Sequence, residues 1–209
     1  DNNVVIGDSA GENLTANSHN VVIGKNALSA ADNDENGNVA IGYYAGSGIN
    51  SDTADKNVLI GFQAGTGGSA AMVECVAIGT DALNSTGGNA VTGVVAIGSN
   101  ALTALTSGTT NTAIGYKAMT SKTTGTQSVA VGYEAEMFNE TNGKSVFVGY
   151  QAGRGASGNT HYENTGVGNQ SLYAITTGGY NVAIGSEAGK AITTAAGNIA
   201  IGYQALKFE

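Results

Sequence analysis

The sequence predicts an all-β fold, a parallel β-solenoid of about twelve coils that are 17 to 19 residues long. Three observations predict this fold: a glycine that recurs at that spacing, a pair of β-branched residues just before each glycine, and a polar stretch that leads to the next pair. The repeat runs through the whole chain, so we expect one solenoid domain over residues 1–209. The chain begins inside one repeat and stops soon after another, which indicates an excerpt of a longer fibrous chain.

Each repeat is centred on a sequence close to Asn-Val-Ala-Ile-Gly. The residue before the glycine is always Ile or Val, and the residue three positions before it is Val, Ile or Thr. β-branched residues with a period of two are typical of a short strand. Glycine tolerates positive φ, so it allows a tight bend directly after that strand. The repeat glycines are Gly7, Gly24, Gly42, Gly61, Gly79, Gly98, Gly115, Gly132, Gly149, Gly168, Gly185 and Gly202.

The polar stretch between successive strands is rich in Ser, Thr, Gly, Asn and Asp, which favour turns. The longer repeats add residues only in this stretch, as in residues 154–163. Turns tolerate a change of length, whereas a strand that slips by one residue reverses its two faces. Each repeat therefore forms one coil with two or three short strands, and stacked coils pair like with like.

Asparagine stands four residues before most of the repeat glycines. Identical amides in stacked coils can hydrogen-bond along the axis as a ladder, and Asn also suits a corner with unusual φ and ψ. Cys75, Val94, Ser128 and Ser145 interrupt this column. Cys75 has no activating His in its own repeat, so we interpret it as a residue at the edge of the core rather than a nucleophile. The asparagine column consists of Asn3, Asn20, Asn38, Asn57, Asn111, Asn164, Asn181 and Asn198.

Both faces of the predicted strands are apolar, because Val and Ile alternate with a small residue that is usually Ala. A strand with one face in water normally carries polar residues on that face. We therefore expect Val and Ile to fill the coil and the alanine column to pack against another chain. This arrangement predicts an oligomer whose axis is parallel to the solenoid.

The composition excludes several classes of partner. The formal net charge is −8 and the chain has only eight Lys and Arg residues, so we expect no binding to nucleic acid, which requires clustered positive charge. The sequence contains no apolar run as long as a transmembrane helix and does not open with a signal segment, so we expect no membrane insertion.

Several repeats resemble those of two related groups of fibrous proteins. Residues 111–119 read Asn-Thr-Ala-Ile-Gly-Tyr-Lys-Ala-Met, and residues 181–189 read Asn-Val-Ala-Ile-Gly-Ser-Glu-Ala-Gly. The first run is similar to the tandem repeats of phage and phage-like tail fibre proteins. The second also resembles the β-roll head of trimeric autotransporter adhesins. The resemblance covers essentially the whole chain, and the length of the repeat favours the fibre group, since adhesin heads usually have shorter repeats.

This resemblance implies more than the residues do by themselves. It implies a left-handed β-roll, a homotrimer, a location on the virion or the bacterial cell surface, and a role in attachment to a host-cell surface glycan or protein. We therefore expect a stiff trimeric shaft of a tail fibre, with an adhesin head as the alternative. The membrane anchor of adhesins and the self-cleaving chaperone domain of many fibres have no counterpart in these residues.

The segment Asp32-Asn33-Asp34-Glu35-Asn36-Gly37 is the one candidate for a metal site. Oxygen ligands at Asp32, Asp34 and Asn36, followed by a turning glycine, suit Ca²⁺. However, Tyr43 stands where an EF-hand loop has its bidentate Glu, and no helices are predicted on either side. A solvated acidic turn is the favoured interpretation, so we expect no cofactor.

Aromatic residues that follow the repeat glycines are candidates for surface recognition. Exposed rings can stack on sugars, but rings also cover turns and subunit seams, where aromatic residues are enriched. The longest polar stretch adds His161 and Tyr162, with Glu163 beside them, because binding residues are often on loops. The aromatic residues that follow the repeat glycines are Tyr43, Phe62, Tyr116, Tyr133, Tyr150 and Tyr203.

We do not expect an enzyme. The two histidines, His19 and His161, are many coils apart, and no acid–base pair of carboxylates can be assigned. A polysaccharide depolymerase and an ice-binding solenoid are the less favoured alternatives. The latter requires a flat face with a regular Thr ladder, whereas Thr is scattered through the predicted turns.

Overall fold

The computed structural model describes residues 2–32, 34–68, 71–87 and 89–208. These residues form fourteen short strands, with turns between them and no helix. The described part of the chain thus holds no helix of the length and apolarity that a membrane span requires. The strands are β1 Val4–Ile6, β2 Val21–Ile23, β3 Val39–Ile41, β4 Val58–Ile60, β5 Met72–Val73, β6 Val76–Ile78, β7 Val91–Thr92, β8 Val95–Ile97, β9 Thr112–Ile114, β10 Val129–Val131, β11 Val146–Val148, β12 Thr165–Val167, β13 Val182–Ile184 and β14 Ile199–Ile201.

Twelve of these strands form one parallel sheet in chain order, and β5 pairs with β7 in a small second sheet. The strands pair in register, so that Val21 lies beside Val39 and Ile23 beside Ile41. Twelve stacked strands of this kind make eleven complete turns of the chain. The prediction of a parallel β-solenoid that pairs like with like is therefore confirmed.

The two faces of the strands are opposite to those predicted. In the twelve-stranded sheet, the central residue of every strand after β1, such as Ala40 or Ala96, points into the coil and is buried, whereas Val39 and Ile41 on either side are only partly buried. The prediction that Val and Ile fill the coil and that the alanine column packs against another chain is wrong. A coil of 17 to 19 residues encloses too little space for a large residue on every inward position, so Val and Ile lie outside.

Pairs of facing residues show how narrow this interior is. The central residue of a strand faces the position four residues after the repeat glycine of its coil. Where the central residue is the large Leu59, that position is Gly65, and a Cβ on Gly65 would lie 2.4 Å from a Leu59 methyl. Phe147 faces Gly153 in the same way, at 2.3 Å. Where the central residue is Ala, the facing position can hold a buried Leu or Met. Leu59 and Phe147 therefore fill the interior of their own coils.

The repeat glycines are required for two separate reasons. Each has a φ between +119° and +141°, which confirms the expected bend. In addition, the backbones of successive coils approach so closely here that a Cβ on Gly115 would lie 2.3 Å from the carbonyl oxygen of Gly132. A side chain at any repeat glycine before Gly202 would therefore collide with the backbone of the next coil.

Other positions in each coil also have positive φ, which the sequence did not predict. They include the residue two after the glycine, such as Gln151, and the residue five before it, such as Lys144. An L-residue in this region costs about 1 kcal/mol or more. Hydrogen bonds between coils oppose this cost, since the N–H of Gln151 donates to the carbonyl of Tyr133 at 2.8 Å.

The asparagine column forms a ladder in the buried corner of the coil. The Oδ1 of Asn20 accepts from the backbone N–H of Asn38 at 2.8 Å, and the Oδ1 of Asn38 accepts from that of Asn57 at 2.9 Å. The side-chain amide of Asn38 also donates across its own coil to the carbonyl of Ala54 at 2.9 Å. Each such buried hydrogen bond contributes about 1 kcal/mol. The ladder thus fixes both the corner of a coil and its distance from the next one.

Replacement of a repeat glycine tests the close approach of the coils. We expect Gly115→Ala to lower the free energy of unfolding by about 3 kcal/mol or more, because the new Cβ meets the Gly132 carbonyl. Urea unfolding followed by circular dichroism measures this change. Gly158→Ala is the control, since Gly158 also has positive φ but nothing lies within 4 Å of its Cβ position. It should cost only about 1 kcal/mol. An equal loss in both variants would contradict the steric explanation.

Candidate functional site

The outer face of the twelve-stranded sheet is apolar along its length. It is formed by the first and third residue of each strand, mostly Val and Ile. Most of these side chains are only partly buried, and several in the later coils are exposed, with Ile114 at 36%, Val148 at 37% and Ile184 at 42%. Twelve rungs spaced by about 4.8 Å give this face a length of about 50 Å. A continuous apolar surface of this size marks an interaction site on a soluble protein.

The aromatic residues after the repeat glycines extend this outer face on one side. Tyr133 stacks between Tyr116 and Tyr150, with ring centroids 5.2 and 5.3 Å apart. Tyr43 and Phe62 form a second stack at 5.3 Å. In these ladders the rings cover one another's faces, so that Tyr133 presents its edge to solvent. Sugars stack on the faces of rings, and the ladder is therefore better suited to packing against protein.

A polar ladder lies next to the tyrosines, at the position two residues after the repeat glycine. The amide of Gln151 donates to Glu134 at 2.9 Å, and that of Gln170 donates to Gln151 at 2.9 Å. Arg154 also donates to Glu134 at 2.9 Å. Although burial raises the pKa of Glu134, the hydrogen bonds from Gln151 and Arg154 bring that pKa below its usual value. This ladder gives the apolar face a polar border.

A cluster of polar side chains is buried inside the coils between residues 115 and 168. Lys122 and Glu136 form an ion pair at 3.2 Å, and neither side chain is exposed to solvent. The amide of Asn139 donates to Glu136 at 2.7 Å, and the Nζ of Lys122 lies 3.4 Å from the hydroxyl of Ser128. His161 lies beside Asn139 and packs edge-on against Phe147 at 5.3 Å. We refer to Lys122, Ser128, Glu136, Asn139 and His161 as the interior polar cluster.

Sequence reasoning missed this cluster because it placed charged residues in the solvated turns. The positions of these residues within the repeat indicated that they are buried. Lys122 and Asn139 stand seven residues after a repeat glycine, and Glu136 stands four residues after one. Most residues at these positions in the other coils are apolar and buried. Examples are Leu28, Ile49, Leu83, Leu102, Leu105, Met119, Leu172, Ile175 and Ile192.

Burial controls the ionisation of the cluster. It raises the pKa of Glu136, against the opposing effects of the Lys122 charge and of the hydrogen bonds from Asn139 and Lys122. Burial, together with the nearby positive charge of Lys122, lowers the pKa of His161 to about 3. His161 is therefore neutral near pH 7.

The prediction that His161 takes part in surface recognition is wrong, because this residue is fully buried. It stands seven residues before a repeat glycine, where Met72 and Val91 also point into their coils. Tyr162 and Glu163 are exposed, as expected for a recognition loop. Tyr162 lines a shallow depression of about 310 Å³ between the turns of three successive coils. Its walls also include Thr124, Thr126, Thr141, Asn142, Lys144 and Glu163.

The acidic turn is already held by hydrogen bonds from the preceding coil. Asp32 and Asp34 are exposed, and Asn33 lies outside the described residues. The Oδ1 of Asn36 accepts from the N–H and the hydroxyl of Ser18 at 2.6 and 2.8 Å, so this predicted calcium ligand already has donors. Within the described residues, no group of three or more His, Cys, Asp or Glu side chains is placed to hold a metal ion.

Cys75 lies in the corner otherwise occupied by the asparagine column. Its backbone N–H donates to the Oδ1 of Asn57 at 2.9 Å, so this run of the ladder ends at Cys75, which has no side-chain oxygen for the next coil. The thiol is buried, and this burial raises its pKa. A thiol that ionises less readily than usual is a poor nucleophile, in line with a structural role.

The buried His161 predicts a specific dependence of stability on pH. Its folded pKa of about 3 lies below its unfolded value of about 6.5, so between these values the unfolded chain binds a proton that the folded chain does not. Below about pH 6.5 this one proton therefore lowers the free energy of unfolding by about 1.4 kcal/mol for each unit that the pH falls. Urea unfolding at pH 6.0, 5.5 and 5.0 measures the slope.

We expect His161→Leu to reduce this slope by about one proton. The control is His19→Leu, which removes the other histidine of the chain from an exposed turn. Equal slopes in the parent and in His161→Leu would show that His161 is not held neutral by the fold.

The sequence matches no protein-family model, and no curated protein or solved structure is significantly similar to it. The function has to be inferred from the repeat, the outer face and the interior polar cluster.

Proposed function

We propose that this chain is a structural and adhesive segment of a phage or phage-like tail fibre, in which parallel copies assemble through the outer sheet face into a stiff homotrimeric shaft. The observation that carries this proposal is the continuous apolar face of Val, Ile and stacked tyrosines, which has no covering element in the described residues. The repeat sequences that resemble tail fibres support the choice of fibre and of three copies.

The size of the face supports self-association. It is about 50 Å long and, over the five residues from the start of a strand to the tyrosine, about 13 Å wide. This gives roughly 700 Å² per chain, close to the 800 Å² or so that each partner contributes to a stable interface. The interface core is apolar and the Glu134–Gln151–Gln170 ladder supplies a polar rim.

The regular spacing of the face favours a second copy of this chain as the partner. Its Val, Ile and Tyr columns repeat at the rise of one coil, so a parallel copy matches the spacing along the whole length. The face is only one short strand wide, and three such narrow faces can meet around a common axis. The exposed turns then point outward, where Tyr162 and the depression beside it are available to contact a host-surface glycan or protein.

The stacking of the coils supports a mechanical role. Every turn is linked to the next by in-register strand pairing and by hydrogen bonds in the turns, such as that from the Lys117 N–H to the Ser99 carbonyl at 3.0 Å. A rod with this uniform support resists bending, as a shaft must. We place the protein outside the cell, on a virion tail or a bacterial surface.

The other candidate functions have less support. In the ice-binding alternative, an ordered row of Thr hydroxyls would face water. The hydroxyls of Thr106, Thr123 and Thr176 instead donate to carbonyls of the next coil at 2.9 to 3.0 Å. An adhesin head remains the nearest alternative, and a membrane-anchor domain in the full-length protein would favour it. Activity on a bacterial polysaccharide would support the depolymerase.

Charged substitutions on the outer face test the assembly. We expect the parent protein to elute as a homotrimer in size-exclusion chromatography with light scattering, and Ile114→Glu with Val148→Glu to elute as a monomer with unchanged circular dichroism. The reason is that each carboxylate would have to be buried without a partner. The control is Thr141→Glu in an exposed turn away from this face, which should stay trimeric. A monomeric parent protein at micromolar concentration would exclude this function.

Matched tyrosine substitutions separate the ladder from the exposed turns. We expect Tyr133→Ser to weaken the trimer about tenfold or more in sedimentation equilibrium, since each ring loses packing and stacking contacts in all three copies. Tyr180→Ser makes the same change at an exposed turn and should have no effect. If both variants assemble like the parent protein, the tyrosine ladder is not part of the interface.

A further inference from the structure

The interior polar cluster brings three reactive side chains together in two adjacent coils. Lys122 supplies an amine, Asn139 a carboxamide and Glu136 a carboxyl group, and all three are fully buried. Lys122 and Asn139 occupy the same position of successive coils, seven residues after Gly115 and Gly132. The two side chains are therefore neighbours along the axis of the solenoid.

Two shared acceptors hold the amine close to the carboxamide. The Oε1 of Glu136 accepts from the Nζ of Lys122 at 3.2 Å and from the Nδ2 of Asn139 at 2.7 Å. The carbonyl oxygen of Asn142 also accepts from both, at 2.7 and 3.3 Å. These bonds limit the separation of Nζ and Nδ2 to about 6 Å at most. The Cγ of Asn139 is bonded to Nδ2, so the Nζ of the long, flexible lysine side chain has only a few ångströms to move before it reaches this carbon.

Lys122, Glu136 and Asn139 are an unfavourable choice if their only role is to fill the interior of the coils. Removing two charges from water costs several kcal/mol per ion, and apolar residues of similar size often serve as well or better. The other coils use such residues at these positions, among them Leu105 and Ile175. In addition, the Oε2 of Glu136 and the Oδ1 of Asn139 are both buried without a hydrogen-bond partner. Packing alone accounts for neither the charges nor the two unpartnered oxygens.

We propose that Lys122 and Asn139 form an intramolecular isopeptide bond, an amide between Nζ and Cγ that joins the two coils, with Glu136 as the proton carrier. Glu136 first takes a proton from the Lys122 ammonium, and the neutral amine attacks Cγ. Glu136 then passes a proton to the leaving nitrogen of Asn139 and takes one from Nζ, which keeps a single hydrogen in the new amide. One C–N bond forms, one breaks and ammonia leaves, so the step requires no oxidant, reductant or other reactant.

The product relieves the unfavourable features of the cluster. Both charges disappear, because the lysine becomes a neutral amide and Glu136 ends as a neutral carboxylic acid. Burial already raises the pKa of Glu136 and so favours this acid form. The acid adds a hydrogen-bond donor to a carboxyl group that already lies against the Asn139 amide, and the amide oxygen, which has no partner, is an acceptor that such a donor can use. His161, with a pKa of about 3, adds no second positive charge.

The bond would reinforce the fibre along its own axis. Lys122 belongs to the coil that ends at Gly132 and Asn139 to the next one, so the amide bridges two coils through the interior. Strand pairing between β10 and its neighbours can open under load, but the covalent link holds these coils together. This inference does not depend on the number of chains in the assembly or on their location.

Intact-mass spectrometry of the purified, denatured full chain tests the bond. We expect the parent protein to be lighter than its sequence mass by one ammonia molecule. Tandem spectra of the tryptic digest should contain one branched peptide that joins Lys122 to Asn139, with no cleavage after Lys122. A parent protein with the full sequence mass and ordinary cleavage after Lys122 would overturn the proposal.

Two variants assign the roles and control for other losses of ammonia. Lys122→Met keeps every asparagine that could cyclise with its own backbone but removes the amine, and it should have its full sequence mass. Glu136→Gln keeps the shape of the side chain without its proton transfer, and it should also have its full mass. Loss of ammonia in Lys122→Met would overturn the cross-link, and an intact cross-link in Glu136→Gln would overturn the role of Glu136.

Discussion

The close approach of successive backbones at the repeat glycines is the constraint on which the rest of the structure depends. At Gly115 and its equivalents no Cβ fits between one coil and the next, and the positive φ turns the chain at the end of each strand. These two requirements fix the rise between coils and the register of the strands. The asparagine ladder repeats the same spacing on the corner before the strand, so glycine and asparagine together hold the strand from both ends.

A tightly wound coil of this kind has a small interior, and this explains the composition of both faces. Alanine and single Leu or Met residues fill the inside, and the positions that would hold large residues in a thicker core instead point outward. The β-branched residues that favour the strand are therefore exposed on one side of the rod. A single chain cannot bury them. The local backbone geometry that sets the fold therefore also leads us to expect that several chains assemble through this face.

The sequence predicted the fold well because its strongest signals are local and repeated. The spacing of the glycines and the Val-x-Ile pairs was enough to predict the parallel solenoid and its turns. The prediction of which face is buried was wrong, because the alternation of Val or Ile with Ala shows only that the two faces of the strand differ. Which face is inside depends on the space within the coil, and the pairs Leu59–Gly65 and Phe147–Gly153 could have revealed it. The left-handed positions such as Lys144 were missed because their residue types vary.

The interior polar cluster is an irregular part of a regular stack, and it can specify the register in which the coils pair. Identical repeats can pair in more than one register. If one part of the stack shifts by a whole coil, glycine again lies beside glycine and asparagine beside asparagine. Such a slip would place Lys122 beside apolar positions instead of Glu136 and Asn139, and would leave buried charges without partners. A buried polar group specifies register in coiled coils by the same physics. The cluster therefore distinguishes one register from the others, and a covalent bond formed there would make that choice permanent.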